Sequence, residues 1–216
     1  MTGRDPGLLA RGPWDAGRVS ARWSEEHFQA GGQAEAQADA SIAELRERGS
    51  PTHDGLGARL ASFSGDGDKL ELELEPARWA LRLGDDALDS MSALCVVRDS
   101  EGRWLAGRRA AWVASWAGRW ALGAGGAVDL GENPAHTLAR ELDEEWSVQA
   151  QRLSVEALVR LPTGLILLVG MARLAEGAQV TIDPEHDAHA WWPADPADWP
   201  AEADPPLRMM AGMLAG

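Results

Sequence analysis

Tyrosine is absent from this chain of 216 residues, phenylalanine occurs twice, and lysine and cysteine occur once each. The single cysteine, Cys95, excludes any disulfide within the chain. It lies in Leu94-Cys95-Val96-Val97, an apolar run that reads as a buried strand. A small buried hydrophobe is therefore expected there rather than a nucleophile. With Lys69 the sole lysine and a net charge of −14, there is no basic stripe of the kind a duplex nucleic acid requires. No stretch of 18 apolar residues occurs, which excludes a membrane-spanning helix. The N-terminus shows no continuous apolar segment of secretory type, so a cytoplasmic protein is expected. What is present suits a globular domain: 45% hydrophobic and 25% charged residues. The acidic excess fits plain solubility and also leaves room for a cation site. A polyanionic substrate is compatible with it where metal ions neutralise the site.

Residues 1–16, with several glycines, prolines and charges, read as a loose lead-in. An Ala-rich run predicts a helix from about Gln33 to Arg48, stopped by Gly49-Ser50-Pro51. A strand is expected at Ala58–Phe63. Lys69 to Glu75 alternates strictly between leucine and charge, the pattern of a half-buried strand. Trp79-Ala80-Leu81-Arg82-Leu83 continues that alternation beyond Pro76. Asp85–Asp89 breaks it and sets a soft boundary. Beyond the break, Ala93–Val97 and Trp104–Gly107 read as a hairpin. A loop with Trp112 and Trp116 leads to a short strand at Trp120–Leu122, and Gly123–Gly126 reads as a glycine-rich loop. Asn133-Pro134 opens a helix to about Trp146, asparagine being a good N-cap and proline a good first residue. Strands follow at Leu153–Leu161, Leu165–Leu174 and Ala188–Trp192, then a Pro- and Asp-rich loop and a closing helix at Leu207–Leu214. The expected organisation is the lead-in (1–16), an N-terminal α+β extension (17–85) and a main domain (86–216). Its mix of strands and helices indicates an α+β or layered α/β/α fold.

The chemistry concentrates in one helix. Glu141, Glu144 and Glu145 stand at i, i+3 and i+4, which puts three carboxylates on one face. Leu138 and Leu142 form the opposite, core-facing stripe. Like charges at this spacing disfavour an isolated helix by a few tenths of a kcal/mol per pair, roughly. A hard cation with oxygen ligands is the natural compensation; a solvated acidic face is the alternative.

The surrounding stretch, Gly126 to Val148, resembles the Nudix box: Gly, five residues, Glu132, seven residues, Arg140-Glu141, Leu142, one residue, Glu144-Glu145, one residue, Ser147, Val148. Eight of the nine specified positions match, and Ser147 stands where the family has glycine. The resemblance implies an α/β/α Nudix sandwich with a mixed sheet, spanning roughly residues 90–216. It implies Mg2+-dependent hydrolysis of a diphosphate linkage in a nucleoside diphosphate derivative, with Mn2+ as the alternative metal. Carried over to this chain, Glu141, Glu144 and Glu145 are the metal ligands, joined by the backbone carbonyl of Gly125. Glu132 and Arg140 become an ion pair that orients the ligand face. The proton of the attacking water goes to Glu141, to Glu144 or to a glutamate of a later loop. The segment Asp183–Trp192 is similar to that acidic loop, with Glu185 first and Asp187 second as the extra ligand or base, an exposed acidic loop being the alternative; His186 and His189 read as loop caps, with contact to a phosphate as the alternative. Ser147 is expected to cost about 1 kcal/mol or to shift the helix end, since the family glycine is left-handed there. Ala124, where proline is common, is expected to loosen the loop slightly.

Arg108 and Arg109 are candidate phosphate contacts, and Trp112 and Trp116, with Trp120, candidate stacking surfaces for a base, packing against the core being the alternative. The N-terminal region weakly resembles the UDP-sugar diphosphatase branch, which implies a small nucleotide sugar such as UDP-glucose as partner. A homodimer is compatible with this reading. Two other classes are open: a nucleotide-binding Nudix module without catalysis, and an isopentenyl-diphosphate-isomerase-like enzyme, which needs an exposed cysteine beside Glu141.

Overall fold

A computed structural model of the chain describes residues 5–50, 54–113 and 115–215. Pro51 of the expected helix stop, and the first four residues of the lead-in, lie outside them. The elements in chain order are β1 (Gly7–Asp15), β2 (Val19–Trp23), α1 (Gly32–Glu47), β3 (Leu56–Gly65), β4 (Leu70–Arg78), β5 (Met91–Arg98), β6 (Trp104–Arg109), β7 (Trp120–Leu122), β8 (Ala124–Ala127), α2 (Pro134–Trp146), β9 (Arg152–Arg160), β10 (Ile166–Arg173), β11 (His186–Trp192) and α3 (Pro205–Ala215). Helix accounts for 24% and strand for 39%, the mixed α+β class that was expected.

The chain divides into two units. The first holds residues 1–94, 126–137 and 154–170. Its small sheet has the order β2-β4-β3, with β2 parallel and β3 antiparallel to β4. The strict alternation of β4, the central strand, sorts its side chains between two faces. Leu70, Leu72 and Leu74 are buried on one face, and Arg59 of β3 pairs with Glu75 at 2.6 Å. Helix α1 buries Ala38 and Ile42 against Ala80 and Leu81. This unit also contains the strand order β1-β9-β10-β5 of the larger sheet.

Two expectations fail here. The lead-in is no loose segment: β1 runs antiparallel to β9, with Leu8 opposite Val159 and Trp14 opposite Val155. Trp14 is buried and its indole N–H donates to the Asp66 carbonyl at 2.6 Å. Register shifts on either side of Ala10 and Arg11 let a strand with glycine and proline hold this place. Residues Trp79–Leu83, expected to continue a strand, form a 3-10 turn. The cause is tertiary. Arg78 is clamped by Asp54, Glu35 and Asp39, Trp79 N–H donates to the Gly55 carbonyl at 2.8 Å, and the turn delivers Ala80 and Leu81 to α1.

The second unit holds residues 95–125, 138–153 and 171–216, with the order β10-β5-β6-β11. Strand β11 is antiparallel to β6, and β7 pairs with β6 from Ala106 opposite Leu122 to Arg108 opposite Trp120. Trp104, Leu105, Ala106, Leu138, Leu142 and Trp146 are fully buried. Trp199 packs edge-on to Trp104 at 5.7 Å and against Trp192 at 5.0 Å. The glycine-rich stretch after Leu122, expected as a loop, forms β8 on β5. Ala124 is buried there.

Candidate active site

Helix α2 begins at the expected cap. Asn133 Oδ1 accepts from the Ala135 N–H at 3.0 Å, and Pro134 is the first helical residue. Farther along, Trp146 joins the Leu138 and Leu142 stripe, and its indole N–H donates to the Gly123 carbonyl at 3.0 Å. That anchor sets the rotation of the helix. Ser147 takes φ 50, the left-handed conformation that glycine adopts freely, so the helix ends where a glycine would end it. The strain costs about 1 kcal/mol. The last carbonyls of α2 are satisfied by the chain ahead of β11: Thr181 N–H donates to Trp146 O at 2.9 Å, and Asp183 N–H to Glu145 O at 3.1 Å.

The three glutamates do not share one environment. Glu141 and Glu145 are buried, whereas the Glu144 side chain is 56% exposed. Arg140 Nη1 lies 2.6 Å from Glu141 Oε1 and 2.9 Å from Glu144 Oε2, so one cationic nitrogen bridges the two carboxylates. Glu145 Oε1 faces Arg109 Nη1 at 3.6 Å and accepts from the Gly125 N–H at 3.4 Å. Desolvation pushes the Glu145 carboxyl up to about 8 against the pull of Arg109, and Glu141 up to about 7 against the pull of Arg140. The charges of Glu144 and Glu185 add to the rise at Glu141, and those of Glu141 and Glu185 to the rise at Glu145.

Arg109, read in the sequence as a phosphate contact, sits between glutamates: its Nη2 is 3.0 Å from Glu185 Oε2. Arg108 pairs with Asp187 at 2.6 Å on the exposed side of the strand. Glu132 accepts from the Asp129 N–H at 3.3 Å. Trp112 and Trp116 are both exposed; the Arg119 guanidinium carbon lies 4.6 Å from the Trp116 ring centre. Trp120 instead packs on Trp192 at 5.5 Å.

Sequence reasoning missed the role of His186, which read as a loop cap. The residue is buried, its Nδ1 is 3.1 Å from Asp183 Oδ1, and its Nε2 is 3.9 Å from Glu145 Oε2. Burial pushes its pKa down, the Asp183 bond opposing. The ring lies 4.8 Å from that of Trp146, over Gly107, where a Cβ would come within 2.5 Å of His186 and 2.8 Å of Trp146. The spacing Asp183-x-x-His186 was the one available signal. Cys95 is fully buried and its thiol is pushed up to about 12 by burial, so the exposed acid that an isomerase reading needs is not supplied.

The donor chemistry fits a hard divalent cation. All three side chains offer oxygen, two of them are desolvated, and Glu141 and Glu144 already share one cationic group. Among the described residues no three His, Cys, Asp or Glu side chains stand close enough to enclose an ion as they are. Glu141 and Glu144 are instead drawn together on Arg140.

The NUDIX domain model matches residues 89–210, more than half of the chain. The chain belongs to the NUDIX family. As a Nudix-type diphosphatase it is a hydrolase of phosphorus-containing anhydrides, acting on nucleoside diphosphate derivatives, and its mixed α+β architecture is the Nudix fold. Members generally use divalent metals. Similar solved structures include the MutT protein of Methanosarcina mazei, 26% identical, covering 47% of this chain and 75% of that one at a TM-score of 0.41. The NUDIX domain of Shewanella oneidensis NrtR complexed with ADP ribose is 21% identical, covering 59% and 88%, at 0.46. A Caenorhabditis elegans Ap4A hydrolase is 21% identical, covering 59% and 98%, at 0.42. A comparison with curated proteins finds no match. No helix of the described residues is long and apolar enough to cross a membrane.

Proposed function

We propose that this Nudix enzyme is a Mg2+-dependent diphosphatase acting on a nucleotide sugar such as UDP-glucose, with Glu141, Glu144, Glu145 and the Gly125 carbonyl as its metal-binding set. The observation that carries the reading is the pair of buried carboxylates, Glu141 and Glu145, one helical turn apart and incompletely neutralised by Arg140 and Arg109. A Mg2+ or Mn2+ held by these residues would supply charge neutralisation at the phosphate oxygens and a more acidic water at neutral pH. Glu185, partly exposed and held by Arg109, offers a carboxylate oxygen to accept the proton of the attacking water. Arg140 holds Glu141 and Glu144 together on one nitrogen, and Glu132, which holds the Asp129 N–H, is the second supporting residue of the set. Arg108 exchanges its exposed partner Asp187 for a phosphate oxygen, and Trp112 and Trp116 offer flat surfaces to the base. The nucleotide-sugar preference is supported by the N-terminal region, whose helix and turn-and-strand arrangement weakly resembles the UDP-sugar branch.

The test is a panel of nucleotide sugars, dinucleotides and nucleoside triphosphates with Mg2+ and with Mn2+, followed by detection of phosphorylated products. UDP-sugars are expected to turn over with the highest kcat/KM. Tight Mg2+-dependent binding without turnover of any of them supports the non-catalytic module instead.

A second expected result follows from the buried carboxyls. Folded Glu141 and Glu145 hold their protons up to about 7 and about 8, whereas the ordinary value is 4.5. Between these values the folded state binds more protons than the unfolded one, so metal-free stability falls as pH rises through this window. Mg2+ selects the deprotonated carboxylates and opposes that loss. In thermal melts the rise in Tm on adding Mg2+ is therefore expected to be larger near pH 8 than near pH 5.5. An equal rise at both pH values counts against cation binding at these groups.

A further inference from the structure

We infer that the N-terminal segment is a positioning element of the catalytic loop, with Trp23 and the side-chain amide of Asn133 as its working contacts. This rests on the diphosphatase reading above. The loop in question is Val128–Asn133, which leads from β8 into the helix of the three glutamates. Within the first unit it is held from two N-terminal strands. Strand β3 bridges to it at Gly57 and Asp129, and Ala58 N–H donates to Val128 O at 3.0 Å. A Cβ at Gly57 would stand 3.4 Å from that same carbonyl, at ordinary van der Waals contact. Strand β2 supplies the rest. The Trp23 indole N–H donates to Glu132 O at 3.0 Å, and Val19 O accepts from Asn133 Nδ2 at 2.9 Å.

Asn133 thus has two tasks. Its Oδ1 caps α2 through the Ala135 N–H, and its Nδ2 ties the cap to β2. Aspartate caps a helix as well as asparagine and adds a charge favoured at the helix N-terminus. It cannot donate to Val19 O, and it sets a carboxylate against that carbonyl. If Asn133 were only a cap, aspartate would be neutral or stabilising. If it positions the loop, aspartate lets the loop drift while the helix survives. Trp23→Phe makes the matching cut from the other side, keeping an aromatic ring and removing the donor. Both contacts bear on the backbone of Glu132, a proposed supporting residue of the diphosphatase site, and on the first turn of α2.

The experiment compares Asn133→Asp and Trp23→Phe with wild type by amide hydrogen exchange of residues 128–137, thermal melting, and steady-state kinetics on the best substrate of the panel. Expected is faster exchange confined to this segment, Tm within a few degrees of wild type, and kcat down by about 10-fold at unchanged KM, as for loss of a supporting contact. Unchanged exchange overturns the inference, and so does faster exchange with unaltered kcat. A Trp23→Phe protein that melts far below wild type shifts the decision to Asn133→Asp, whose cap is intact. Should wild type hydrolyse nothing, the functional reading fails, and the exchange data still decide whether the N-terminal segment restrains the loop.

Discussion

Glu145→Gln is expected to lower kcat by about 10²-fold or more while KM changes little and the fold persists. Glutamine has nearly the shape of a protonated glutamate, and burial already favours the protonated form in the absence of metal. The substitution therefore leaves packing against Arg109, Gly125 and His186 in place and removes only the negative charge proposed to bind the metal. Metal-free Tm at neutral pH should match or exceed that of wild type, because a buried ionisable group is gone. Reduced turnover together with a much lower Tm would point to a structural role. Near-wild-type turnover would remove Glu145 from the metal-binding set.

The largest expected effect on stability comes from Gly123→Ala. Gly123 has φ 63, and a Cβ there would lie 2.8 Å from the Cys95 carbonyl carbon and 2.9 Å from Val96 Cα, and closer still to the Cys95 oxygen. These are backbone atoms of a buried strand and cannot yield. The same residue donates to Leu105 O at 3.0 Å and accepts the Trp146 indole N–H, so any shift of the chain loosens the anchor of α2. A loss of about 4 kcal/mol or more is expected by denaturant titration. Gly118 serves as the control. Its φ of 71 is similar, but its Cβ would meet nothing within 4 Å, so alanine there should cost only about 1 kcal/mol. Equal losses at the two sites would show that backbone conformation alone, not crowding at Cys95, governs Gly123.

Much of this arrangement is legible in the sequence because it rests on local periodicity. The alternation of Leu70, Leu72 and Leu74 specifies β4. Asn133-Pro134 specifies the start of α2, and the spacing of Glu141, Glu144 and Glu145 specifies a shared helix side. What remained hidden depends on contacts between distant segments. The lead-in is a strand only because β9 lies beside it and Trp14 finds a buried place. Trp79–Leu83 leaves the strand pattern because Arg78 is clamped and α1 takes up Ala80 and Leu81. Spacing gives the face of a helix but not its depth, so it could not say that Glu141 and Glu145 are buried while Glu144 is open. The spacing hinted at the Asp183–His186 pair, but its place beside Glu145 was out of reach, since it joins the approach to β11 with the end of α2. The hydrogen bond from Trp23 to Glu132 O links residues 109 positions apart, and nothing in the local pattern of either announces it.

The claim on which the catalytic account depends is that the carboxylates of α2 seat a divalent cation. A Mn2+ titration followed by electron paramagnetic resonance, run on wild type and on Glu145→Gln without substrate, tests it most directly. Saturable binding in wild type that weakens by about 10-fold or more in the variant is the predicted result. Identical Mn2+ affinity in the two proteins, or no binding in either, would contradict it.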